Sequence, residues 1–339
     1  PTPGASAGRP TPPEPVQGVG TVAPWALKMP APRRKPGASS MDICTTSAIV
    51  TGEFDFGKTA EGSSYAVPTK KIARESDVQA FLQSDACKDY MSFVKCLCRK
   101  LVGVKISDVT KEPVSTDLQP LLDVLATLSS YVDEIPPKEH ILRYGNPAFR
   151  DWHARMCENA ERLTEGVLPE ALRGAAKELA HYLADSFGNR TRIDYGTGHE
   201  TNFFVFLYCL ARLGVVKEAD SRALVLSVFD TYLQLMRKVQ QTYGLEPAGS
   251  RGCWGLDDYQ ILPFLFGSAQ LINHGLIKPK SIHNPDFIDM FHKDFMYFGC
   301  VHYVLSVKKG PITETSPMLN DISVLGRWQK VNHGLLKMY

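Results

Sequence analysis

The thirteen residues from Gly188 to Glu200 read GNRTRIDYGTGHE and crowd Arg192, Asp194, Tyr195, Thr197, His199 and Glu200 into one polar stretch. Apolar segments with helical spacing flank it, AAKELAHYLADSF before and TNFFVFLYCLARL after. A loop of this composition adds little to a core, and loops held on a rigid scaffold are where function concentrates. Its end opens a helix, where free backbone N–H groups attract anions. Gly196 and Gly198 would let a ligand approach the backbone. Thr197 would cap the helix or touch a phosphate, and Arg192 would supply charge-assisted hydrogen bonds to phosphate or carboxylate. The same residues fit a plain glycine turn equally well, with Thr197 as the cap and Arg192 paired to Asp194. It is neither a Walker loop nor the Rossmann fingerprint: no G-K-[ST] follows, the third glycine is missing and no strand precedes it.

A second polar loop, Glu246 to Asp258, reads EPAGSRGCWGLDD and also ends at a helix start. Asp257 and Asp258 suit the first turn of that helix as caps. They also suit a hard-cation site, because Mg²⁺ takes few carboxylates and fills its remaining positions with water and phosphate. Glu246 or Glu200 would complete such a site. If the two loops meet in the fold, one Mg–nucleotide site explains both. Trp254, between Gly252 and Gly255, packs inward or grips a partner or a proline. Tyr195, Phe264 and Phe266 would line the same groove, with core packing the default for the two Phe, and Glu246 and Asp257 would border it. His199 and Glu200 are adjacent on a helix and do not face each other, so a structural histidine is expected rather than an acid–base pair. No GxSxG elbow supports a serine nucleophile.

The elements that must position these loops are helical. Apolar residues at three- and four-residue steps predict helices over Asp77–Leu101, with Val78, Phe81 and Leu82 in the core stripe, and over Leu118–Val132. Asn146 and Pro147 start another helix, with Phe149 and Trp152 facing the core. Further helices are expected over Leu168–Phe187, Asn202–Leu213, Asp220–Gly244 (core stripe Leu224, Val225, Val228, Phe229, Tyr232, Leu235, Met236, Val239), Asp258–Ile272, Phe287–Val307 and Trp328–Tyr339. Period-2 runs and internal repeats are not found. The reading is a mainly α protein of about eight to ten helices.

Composition bounds the rest. Of 339 residues, 44% are hydrophobic and 22% charged, with 38 Lys and Arg against 36 Asp and Glu. A net charge of +2 carries no electrostatic footprint for nucleic acid or an anionic membrane, and no apolar run reaches the ~18 residues of a spanning helix. The eight cysteines form no CxxC pair and no zinc spacing, as expected of reduced thiols in a cytoplasmic or also nuclear protein. Ten of the 23 prolines lie in the first 40 residues. Residues 1–65 are therefore expected to be a disordered Pro/Gly/Ser-rich extension, and 66–339 one helical domain. The chain begins at Pro1 rather than Met, which leaves an upstream segment open.

RIDYGTGHE (192–200) and YGLEPAGSRGCWGLDDYQILPF (243–264) closely resemble the phosphotyrosyl phosphatase activator (PTPA) family, the activators of protein phosphatase 2A. Supporting segments are RYGNPAFRDW (143–152), FGSAQL (266–271), KKGPITETSPML (308–319) and WQKVNHGLLKMY (328–339). The resemblance implies a multi-helix fold of core, lid and linker subdomains around a deep cleft that binds ATP and Mg²⁺. It also implies ATP/Mg-dependent activation of phosphatase 2A through its catalytic and scaffold subunits, and peptidyl-prolyl cis–trans isomerase activity on a proline-containing segment. Carried over by motif, Arg192, Thr197 and Gly198 would hold the nucleotide, and Gly252 (through its backbone) and Asp258 the metal. No catalytic residue follows from the sequence. Family members commonly continue past the matched MY with a segment that touches the nucleotide, whereas this chain stops at Tyr339. A fragment and a weaker nucleotide grip both fit that, and a helical interaction module that binds a phosphatase without nucleotide is the alternative function.

Overall fold

A computed structural model describes residues 53–58, 64–111, 113–139, 145–249 and 255–339, which all belong to one compact unit. They are mainly α. Helices α1 (Glu75–Gln83), α2 (Asp85–Lys100), α3 (Ile106–Thr110), α4 (Gln119–Glu134), α5 (Ala148–Val167) and α6 (Ala176–Ala184) precede the first polar loop, and α7 (Thr197–Arg212) leaves it. Next, α8 (Ser221–Ala223) runs through a wide π turn at Leu224–Phe229 into α9 (Asp230–Tyr243). The second loop leads into α10 (Leu262–Gln270). Then come α11 (Pro285–Phe291), α12 (Met296–Val307), α13 (Ile312–Thr315), α14 (Pro317–Ser323) and α15 (Trp328–Met338). Among the described residues no helix is long and apolar enough to cross a membrane.

The helices are more numerous and shorter than the apolar periodicity predicts. The stretch expected as one helix over 77–101 breaks at Ser84, whose extended backbone (ψ 155°) lets its hydroxyl accept from the Cys87 N–H at 3.1 Å. The break swings α1 off the core: no α1 residue is buried, and Phe81 and Leu82 are 41% and 55% exposed. The expected helix over 287–307 is likewise two, interrupted at His292–Phe295. In contrast, the predicted α9 stripe is buried in full, from Leu224 to Val239.

The core centres on α7. Phe204 has ring contacts with Phe93 of α2 at 5.5 Å, Phe229 at 5.7 Å and Phe266 of α10 at 5.2 Å. Phe203 stacks flat on Tyr232 of α9 at 3.8 Å. Such offset and edge-on pairs add to their area burial. Phe149 and Trp152 are fully buried, as their spacing predicts. α10 is buried along its whole length. Gly267 lets α12 approach it so closely that a Cβ there would stand 2.0 Å from the Tyr297 nitrogen. Gln270 spends its whole amide in this packing, donating to the Val104 and Asp294 carbonyls and accepting from the Met296 N–H. From α15, Asn332 donates to the Leu265 carbonyl.

The expected boundary at residue 65 falls too late. Phe54 is buried, with its ring 4.9 Å from Phe93, and the Gly57 N–H donates to the Ala211 carbonyl at 2.8 Å. An aromatic so placed belongs to the core. Residues 1–52 lie outside the described residues.

Candidate functional site

The first loop is shaped by its own backbone. Gly188 turns at φ 106°, where a side chain would meet the Asp194 carbonyl oxygen at 2.5 Å. The Asn189 side-chain oxygen accepts from the N–H groups of Thr191 and Arg192 at 3.0 and 2.9 Å. Ile193 is held at φ 55°, a conformation that costs a β-branched residue about 1–2 kcal/mol. Its burial against Gly145 offsets that strain.

The two polar loops do meet. Strand β1 (Asp194–Tyr195) pairs in parallel with β2 (Glu246–Pro247), Asp194 opposite Glu246. The Glu246 N–H donates to the Ile193 carbonyl at 3.0 Å and the Ala248 N–H to the Tyr195 carbonyl at 2.7 Å. A second tie runs deeper. Glu200, wholly buried, accepts on one carboxyl oxygen from the N–H groups of Ile261 (2.9 Å) and Leu262 (3.2 Å), donors at the start of α10 with no partner inside the helix. Its other oxygen has no hydrogen-bond partner among the described residues. Burial pushes the Glu200 carboxyl up to about 8, against the pull of those two N–H groups. Glu200 is thus a tie between α7 and α10, which corrects its place as a candidate cation ligand.

Arg192 pairs with both oxygens of Asp194, at 2.5 and 3.1 Å, while its side chain stays 59% exposed. The internal pair weighed in the sequence is therefore formed, and it leaves the guanidinium at the surface. Thr197 does not cap α7. The N-cap is Gly196, which has no side chain to offer. The N–H groups of Thr197 and Gly198 have no acceptor among the described residues, and both residues are exposed. Among the described residues nothing lies within 4 Å of where a Gly198 side chain would stand. Uncapped N–H groups beside open space and an exposed arginine suit a phosphate.

On the second loop, Asp257 accepts from the Gln260 N–H at 3.1 Å and Tyr259 N–H at 3.4 Å, the capping arrangement, and burial pushes its carboxyl up. It turns the chain into α10. Asp258 instead meets Lys308, just past the end of α12, at 3.0 Å, with both side chains 22% exposed. Sequence reasoning missed Lys308, although it opens the KKGPITETSPML segment. Glu246 is exposed on β2. Gly252 and Trp254 lie outside the described residues. Among those described, no three His, Cys, Asp or Glu side chains converge on a point that could hold a metal. Asp258 as one accessible carboxylate, finished by water and phosphate, matches how Mg²⁺ is commonly held.

Tyr195 leaves the expected groove, and Phe264 and Phe266 take the core packing expected of them. Tyr195 is fully buried and its hydroxyl bonds to that of Tyr232 at 2.9 Å. Phe264 and Phe266 are core residues. His199 has the structural role expected: Nδ1 bonds to the Asp185 carbonyl at 2.7 Å and the ring stacks on Tyr195.

A family model described as phosphotyrosyl phosphate activator (PTPA) protein matches residues 68–339. A probable serine/threonine-protein phosphatase 2A activator 1 from Dictyostelium discoideum is 41% identical over 283 residues, 83% of this chain and 86% of that protein. A serine/threonine-protein phosphatase 2A activator 2 from Yarrowia lipolytica is 45% identical over 279 residues, 81% of this chain and 77% of that protein. The crystal structure of the PP2A phosphatase activator Ypa1 superposes with a TM-score of 0.73 at 31% identity, covering 81% of this chain and 88% of that one. With its helical architecture, its two joined loops and these likenesses across most of its length, the chain belongs to the PTPA family.

Proposed function

We propose that this chain activates protein phosphatase 2A, and that it does so with ATP and Mg²⁺ held where the two loops join. The named relatives support the first part. The observation that carries the second is the β1–β2 ladder, which brings the Arg192 loop beside the Asp258 loop. In this reading Arg192 and the free N–H groups of Thr197 and Gly198 take phosphate oxygens, and Asp258 takes the cation. Lys308 already shares Asp258, so a cation there competes with it. The nucleotide and its cation would supply multivalent charge that braces both loops. The chain's own part is to present those loops to the catalytic and scaffold subunits.

The test adds the chain to inactive phosphatase 2A with and without Mg-ATP. Activity is expected to rise with Mg-ATP. Arg192→Ala and Asp258→Ala should each weaken Mg-ATP binding about 10-fold or more, the scale of a lost hydrogen bond to a charged group. No gain in activity sinks the reading. A gain without any Mg-ATP binding by calorimetry leaves the nucleotide-free interaction module.

Prolyl isomerisation is the finer part of this proposal and rests on family resemblance alone. The amide barrier is about 18–20 kcal/mol, so catalysis requires a groove that favours the twisted bond. Tyr195 is buried and does not line such a groove, and Trp254 lies outside the described residues. A protease-coupled assay on a proline peptide decides it, with the uncatalysed rate as the mark to exceed.

A further inference from the structure

A cavity of about 650 Å³ lies between α9 and α12, with α3 at one side. Its volume falls in the ~300–1,000 Å³ range of small-molecule sites. None of the residues assigned to the two loops lines it. Its wall carries Arg237, Lys293 and the stacked imidazoles of His292 and His302, whose ring centres are 4.3 Å apart.

Arg237 is the anomaly. Its Nε is buried and has no hydrogen-bond partner among the described residues. One Nη reaches only the Cys300 sulfur, at 3.6 Å, and the guanidinium lies over the Tyr303 ring at 4.4 Å. Buried polar groups are almost always satisfied, and an unmet donor on a charged group is the costliest kind. The other charges do not meet the need. Lys238 is taken by Asp133 at 2.7 Å and by Ser129. Lys293 is exposed and has no ion-pair partner among the described residues. Asp230, the cavity's carboxylate, is pushed up by burial against the opposing pull of the Arg237 charge, and the two do not approach to ion-pair distance.

A planar guanidinium laid on an aromatic ring in a cavity wall, with no carboxylate partner among the described residues, matches the forked geometry of a carboxylate or phosphate. We propose that the α9–α12 cavity is a second ligand site, separate from the joined loops, that takes a small oxyanion-bearing molecule on Arg237 with Lys293 at its mouth. The ligand is a phosphate ester or a small polycarboxylate, and the two sources share the same recognition.

The test is calorimetric titration of the full chain with inorganic phosphate and, separately, with citrate. Saturable binding of at least one is expected, and the tighter of the two names the source. Arg237→Gln should weaken it about 10-fold or more, on the scale of a hydrogen bond to a charged group. Lys293→Glu, an exposed change that leaves the packing alone, should weaken it several-fold. In the Arg192→Ala chain, where phosphate at the joined loops is weakened, the binding that Lys293→Glu reduces should persist, which separates this site from the nucleotide reading whatever becomes of that. Binding of neither probe overturns the proposal. So does equal affinity in Lys293→Glu and the unsubstituted chain, a result that stands even if Arg237→Gln fails to fold.

Discussion

Replacing Glu200 by Ala is expected to lower the unfolding free energy by about 3–5 kcal/mol, which places it among the severe single changes. The substitution leaves the buried N–H groups of Ile261 and Leu262 without their acceptor, each a desolvation cost of roughly 1–3 kcal/mol. It also opens space where a wholly buried side chain stood. Urea unfolding followed by circular dichroism measures the loss. A change under about 1 kcal/mol would mean that the tie between α7 and α10 holds nothing.

Glu200→Gln separates the tie from the charge. The folded carboxyl titrates at about 8, against an ordinary value of 4.5. Between those values the folded chain keeps a proton that the unfolded chain has released. The contribution of Glu200 is therefore full below pH 4.5, falls as pH rises, and is lost through about pH 8. Glutamine accepts the same two N–H bonds and cannot ionise. Melting temperatures at pH 6 and pH 9 should accordingly differ less in Glu200→Gln than in the parent chain, and an equal fall in both would reject a buried protonated acid here.

Gly267→Ala is the second large effect. Its new methyl would stand 2.0 Å from the Tyr297 nitrogen and 2.7 Å from its Cα. These are backbone atoms, so no rotamer change relieves the clash and α10 must part from α12. Overpacking of this kind costs about 1–3 kcal/mol and more where backbone must move. A loss of about 3 kcal/mol is expected, seen as a lower urea midpoint. Gly198→Ala is the control. Among the described residues its added methyl meets nothing within 4 Å, and alanine favours a helix by up to ~1 kcal/mol over glycine. Stability should hold or rise slightly, while Mg-ATP binding weakens if phosphate approaches that backbone.

Much of the frame was legible from the residues. The stripe from Leu224 to Val239 is buried as its spacing predicts, and so are Phe149 and Trp152. In a helix the side of the apolar residues is a local property, and a 3.6-residue period reports it directly. The two polar loops stood out for the same reason, as interruptions of that period. Arg192, the N–H groups of Thr197 and Gly198, and Asp258 are the groups proposed to meet an anion and a cation. Even the alternative that the sequence left open, an Arg192–Asp194 pair, is present at 2.5 Å.

Tertiary contacts decided the rest. A two-residue strand has no period to read, so nothing local announced that Asp194 would lie opposite Glu246. Glu200 looked like a loop carboxylate, yet its partner Ile261 is 61 residues away and makes it a buried cap. Tyr195 looked available to a ligand, but Tyr232 from α9 takes its hydroxyl inside the core. Lys308 reaches Asp258 across 50 residues (308 minus 258). Phe81 and Leu82 matched an apolar stripe and are exposed, because one serine ends a helix and turns α1 away. The sequence by itself determined which segments are helical, which of their faces are apolar and which loops carry the polar chemistry, since these depend on neighbours a few residues apart. Which buried polar group meets which partner, and so which of the candidate residues remain free to bind, was decided by the packing of segments far apart in the chain.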